Sequence, residues 1–203
     1  MASMSREQIE AMVNLATNGS LYRIDQRAKR GAELRQWGLN PQRPQPGSPL
    51  AADDAAFEHA YPEALSGGQG VTEESLFPMM SAAECLGAVE TLVGHRQAGS
   101  LFAVPIMQLC RSAMETSART IWILSQPERA ERVERAFRVL VAQLEQQKRF
   151  LAIEERNMSA NKDRFPAELL EMNREHRRRQ AALVQTLNEL YPLPAPDGFG
   201  KTI

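Results

Sequence analysis

Only two cysteines, Cys85 and Cys110, occur in 203 residues. So few exclude a disulfide-framed scaffold. Both fall in stretches of helical pattern and read as small core hydrophobes of a reducing compartment, although spacing alone leaves a bridge between them open. Long apolar runs are also missing. No stretch reaches the ~18 residues of a membrane span, and the longest candidate, from Leu101 to Leu124, is interrupted by its own charges. The N-terminal MASMSREQIE has no apolar core of a secretion signal. A cytoplasmic protein with no membrane partner is expected.

Charge of one sign is absent as well. Lys plus Arg number 24 against 25 Asp plus Glu, a net charge of -1, so no global field steers the chain toward nucleic acid or anionic lipid. Local basic patches remain open to either. The chain holds three histidines, His59, His95 and His176, far apart and outside any zinc or di-iron spacing. No metal and no cofactor are expected. There is no Gly-x-Ser-x-Gly, Walker loop or Rossmann fingerprint. Gly198-Phe-Gly-Lys-Thr202 looks like a phosphate loop but lacks its spacing and preceding strand. No residue is assigned a catalytic role, and the balance leans away from an enzyme.

Alternating β patterns and fixed-period repeats are absent too, and what remains is helical. The fold class expected is all-α: an antiparallel helical bundle with an N-terminal helical hairpin. Ser5-Arg-Glu-Gln8 has the form of a capping box opening a short helix that ends near Asn18-Gly19. A second helix runs to Trp37 and stops at Gly38, with Arg23, Arg27, Lys29, Arg30 and Arg35 on a basic face. Residues 1–38 thus form the hairpin. Residues 39–71 form a Pro/Gly-rich linker, broken again at Ser66-Gly-Gly-Gln-Gly70 and holding a possible short helix from Asp53 to Tyr61. Residues 72–191 form the bundle and 192–203 an irregular tail.

Within the bundle, Thr72 or Ser75 caps a turn and Ser81 the helix proper, which breaks at Gly99-Ser100. A helix of about 127–160 is opened by Pro127, and one of about 166–190 follows Pro166. Between them and the first lies SLFAVPIMQLCRSAMETSARTIWILS, Ser100 to Ser125. It reads as a largely buried helix that carries Arg111, Glu115 and Arg119 on one face at i, i+4 and i+8. Charges on a core helix are costly unless paired. The row is therefore either an inter-helix ion-pair network, an exposed edge, or an anion and phosphate site extended by Gln108 and Ser112. A weaker basic patch, Arg174, Arg177, Arg178 and Arg179, is diluted by neighbouring glutamates and unaccompanied by stacking aromatics. Met107, Met114 and Trp122 offer a further option, the lining of a ligand cavity inside the bundle.

The segment Leu109 to Pro127, followed by Arg129 and Arg132-Val-Glu-Arg135, resembles a group of uncharacterised actinobacterial helical proteins. They share an Arg-x-x-x-Glu, Trp-x-Leu helix followed by a proline and an Arg-rich helix. The group is in turn similar to HEPN-like helical bundles, which include toxin ribonucleases and nucleotide-binding accessory proteins. The resemblance implies a cytoplasmic bundle able to dimerise. Catalytic members carry an Arg four to six residues before a His, and no arginine here stands at that spacing from a histidine. Longer relatives, the resemblance implies, continue into another helix bearing a late His, which is expected to be missing after Ile203.

The expected function is a non-enzymatic helical protein-interaction module that self-associates as a homodimer or binds a protein partner. The alternative is a HEPN-like protein directed at RNA or a nucleotide through Arg111 and Glu115.

Overall fold

A computed structural model describes residues 6–65, 70–95 and 102–192. The Ser5 cap, the breaks at 66–69 and Gly99-Ser100, and the tail from 193 lie outside them. The described residues are all-helical, as expected. Six helices follow in order: α1 (Arg6–Gly38), α2 (Pro49–Ala60), α3 (Val71–Gly94), α4 (Ala103–Leu124), α5 (Arg129–Ala160) and α6 (Ala167–Leu190). Short 3-10 turns lie at Pro62–Leu65 and Lys162–Arg164.

The N-terminal hairpin is replaced by one continuous helix. α1 runs 33 residues straight through Asn18-Gly19. A mid-helix glycine costs about 1 kcal/mol against alanine, a penalty that a long helix with a packed face absorbs. The chain divides into two compact units at Arg43/Pro44, Glu74/Ser75 and Trp122/Ile123. The first contains α1, most of α3 and most of α4. The second contains α2, α5, α6 and the first turn of α3.

In the first unit, α1 lies against α3 through small residues. A Cβ at Gly31 would stand 2.9 Å from the Leu86 carbonyl oxygen, and one at Gly38 would stand 2.5 Å from the Ala83 Cβ. Such backbone proximity needs glycine. Ala28, Val89 and Val93 form a buried cluster against which Ile106, Leu109 and Cys110 of α4 pack. The Thr120 hydroxyl donates to the Ser75 carbonyl at 2.9 Å. α3 is one helix from Val71 with Pro78 inside it, rather than a turn followed by a helix from Ser81. By length and composition alone it is apolar enough to cross a membrane, a test that the core helix of a soluble protein also passes. Cys85 and Cys110 are free and half-buried. Burial, then Glu84, then Cys110 push the Cys85 thiol pKa up.

In the second unit, Ser48 caps α2 by accepting from the Ala51 amide at 3.2 Å, with Pro49 in the first turn. The first turn of α3 is capped across the fold. Asp54 accepts from the Thr72 amide at 2.8 Å and from its hydroxyl at 2.5 Å. Gly70 leaves room for this, since a Cβ there would lie 2.8 Å from Asp54 Oδ1. α5 and α6 form an antiparallel pair whose register is written in amides. Asn173 donates to Glu154 and Gln180 to Gln147, each at 3.2 Å. Seven residues forward on α6 match seven back on α5. Toward the other end the seam is apolar, with buried Phe137, Leu140, Leu144, Val184 and Leu187. Tyr61 stacks on Phe137 at 3.9 Å, and Tyr191 meets both edge-on at 5.0 and 5.5 Å.

Candidate functional site

α4 owes its helix to the Ala, Met, Gln, Leu, Arg and Glu that dominate it, and it ends before Ser125-Gln-Pro127. Its inward face is Leu109, Cys110, Ala113, Thr120 and Ile123, all buried or half-buried. About half of the helix is open, which corrects the expectation of a largely buried helix. Val104 and Met107 are each 69% exposed, Met114 72% and Ile121 64%. With Arg111 and Ala118, both exposed, they stand at positions 104, 107, 111, 114, 118 and 121. That alternating three-four spacing is the seam of a two-helix coiled pair. It spans about 26 Å of helix.

Arg111 sits near the middle of this stripe. Its Nε donates to Glu115 Oε1 at 2.7 Å, with side chains 73% and 62% exposed. The Glu115 hydrogen bond and charge raise the Arg111 pKa. Arg119 is half-buried, around the helix from Arg111. The three charges therefore share a helix but form no pocket, and Gln108 and Ser112 beside them are exposed. Met107 and Met114 face outward while Trp122 is half-buried, so they line no internal cavity together.

The second basic cluster is neutralised by its own acids. Arg174 and Arg177 each lie 3.0 Å from Glu155. Arg178 lies 3.2 Å from Glu171, and Arg179 lies 2.9 Å from Glu175. A shallow groove of about 380 Å³ runs beside it, lined by Lys148, Arg149, Ala152, Arg177, Arg178 and Ala181. Among the described residues no three His, Cys, Asp or Glu side chains gather as a metal site.

Sequence reasoning missed the most deeply held charge. Asp53 is 2% exposed. Arg129 Nε reaches its Oδ1 at 3.1 Å, and Arg132 grips both of its oxygens while also donating to the Gln126 and Pro127 carbonyls at 2.7 and 2.8 Å. This arrangement ties α2 to the start of α5 and closes the turn before it. The buried carboxylate is matched by guanidinium donors on both oxygens, so it is a structural node.

Compared with known proteins, the chain matches no family model, no curated protein and no solved structure.

Proposed function

We propose that this chain is a non-enzymatic helical interaction module that self-associates through the exposed face of α4. The observation that carries the reading is the heptad-spaced stripe Val104, Met107, Met114, Ala118 and Ile121, exposed on a helix whose other side is packed. Scattered exposed apolar residues are ordinary, whereas a contiguous row with coiled-pair spacing is an interface pattern.

A second copy fits this stripe best because its charges are self-complementary. A two-fold axis between residues 112 and 113 sets Val104 against Ile121 of the second copy, Met107 against its Ala118, and Arg111 against its Met114. In that register Arg111 of each copy comes within reach of Glu115 of the other. Such an isologous contact makes the same charge pair twice. One helix pair is a small interface, so dissociation in the micromolar range, ~1–100 µM, is expected. The RNA-directed alternative draws less support. Arg111 and Glu115 engage each other on an open surface with no third group converging on them.

Light scattering across that concentration range tests the proposal. The chain should pass from monomer to dimer, and Met114→Glu should remain monomeric with an unchanged helical circular-dichroism spectrum. A Met114→Glu protein that dimerises like the parent contradicts the α4 interface.

A further inference from the structure

The C-terminal half of α1 is rich in cations. Between Ser20 and Gly38 it carries five cations, Arg23, Arg27, Lys29, Arg30 and Arg35, against two carboxylates, Asp25 and Glu33. Several exposed arginines elsewhere are held by acids: Arg111 by Glu115, and Arg178 and Arg179 by Glu175. Among the described residues, Arg23, Arg27, Lys29 and Arg30 pair with no carboxylate, and Arg23 reaches only the Ser20 hydroxyl at 3.4 Å. All four are exposed, and Asp25 is half-buried. Arg35 lies across Gly87 of α3.

Positions 23, 27, 30, 34 and 37 follow one line along the helix. Three guanidinium groups are thus followed by Leu34 and then by Trp37, which is 62% exposed. Tyr22, 64% exposed, lies about a quarter-turn around the helix from the start of the row. Unpaired guanidinium forks suit phosphate oxygens. Exposed aromatics beside a cationic track suit the faces of unpaired bases.

We infer that this face of α1 binds single-stranded nucleic acid, with Arg23, Arg27 and Arg30 on successive phosphates and Trp37 stacking on a base. A lipid surface is the poorer match. Interfacial helices need a continuous free apolar face, whereas the exposed Leu34 and Trp37 of α1 stand in one line with Arg23, Arg27 and Arg30. A duplex would leave Trp37 and Tyr22 without a partner. The inference is independent of the α4 interface, and an α4 variant such as Met114→Glu should bind equally well.

Fluorescence anisotropy with labelled single-stranded RNA and DNA oligonucleotides of roughly 15 nucleotides tests it. Three phosphate contacts predict a log–log salt slope of about −2, or a roughly 15-fold loss of affinity between 50 and 200 mM salt. The triple variant Arg23→Gln, Arg27→Gln, Arg30→Gln should flatten that slope and weaken low-salt binding by at least ~10-fold. The single Arg27→Gln should reduce the slope by about 0.7, a readout that survives if the triple variant folds poorly. Trp37→Ala should weaken binding about 5- to 30-fold with the slope unchanged.

Absence of binding by the parent chain at low salt would overturn the inference, as would a triple variant with parental affinity and slope. Retention on vesicles of phosphatidylserine and phosphatidylcholine without oligonucleotide binding would reassign the face to membranes. Tighter binding to duplex than to single strand, or a silent Trp37→Ala, would overturn the single-strand assignment.

Discussion

Arg132 holds Asp53 by both carboxylate oxygens, Nε to Oδ2 at 2.7 Å and Nη2 to Oδ1 at 2.8 Å, across 79 positions of sequence. The carboxylate is buried, while the arginine keeps a little solvent contact. Removing Asp53 strands a guanidinium beside a turn it also braces. Asp53→Ala should therefore cost about 2–4 kcal/mol, read as a lowered midpoint in urea. The double variant Asp53→Ala, Arg132→Met should recover part of that loss, because the buried guanidinium is gone with its partner.

The glycines of α1 predict opposite signs for one substitution. Gly19 has nothing within 4 Å of a new Cβ. Gly19→Ala should therefore stabilise α1 by about 0.5–1 kcal/mol. At Gly31 and Gly38 the Cβ would strike backbone and Cβ atoms of α3. Either change to alanine should cost ~1–3 kcal/mol despite the better helix propensity. Thermal melts followed by circular dichroism check all three, and a stabilising Gly31→Ala would contradict the close approach of α1 to α3.

The hydrogen bond that Tyr191 donates to Glu63 predicts a pH signature. Glu63 raises the Tyr191 pKa from 10.0 to about 12. The same bond lowers the Glu63 carboxyl below its ordinary 4.5. A raised phenol pKa gives stabilisation that is intact below pH 10 and is lost as pH climbs through about 12. A lowered carboxyl pKa gives stabilisation that is present above pH 4.5 and lost as pH falls through the folded value. Ultraviolet titration should show a late phenolate step near pH 12 that disappears in Tyr191→Phe. A phenolate spectrum that completes near pH 10 would refute the contact.

Much of the helical layout was legible because its signals are local. Pro127 and Pro166 mark the starts of α5 and α6, and buried Val133, Phe137, Leu140, Leu144 and Leu151 keep helical spacing. Asn18-Gly19 misled because a stop signal is only a local preference, and a 33-residue helix with one packed side overrides it. The α4 face was misjudged for a different reason. A run of apolar residues marks a helix that wants cover, but it does not say which of its sides has a neighbour. Met107 and Met114 therefore read as core although they are exposed. The Asp53 node was invisible because nothing near Asp53 announces an arginine 79 residues later. The basic face of α1 was readable in its residue types, but its lack of partners emerged only from the structure.

Charge reversal across the α4 stripe tests the central proposal most directly. Arg111→Glu alone sets like charges against each other twice in the two-fold pair, and so does Glu115→Arg alone. Each should be monomeric at a concentration where the parent dimerises, with its fold little changed, since an exposed i, i+4 pair contributes only ~0.3–0.5 kcal/mol. In the first variant both positions of the pair carry carboxylates, and in the second both carry guanidinium groups. Mixed together, the two are complementary, and sedimentation should reveal a heterodimer although neither variant self-associates. Two monomers that ignore each other, or single variants that dimerise like the parent, would contradict self-association through α4.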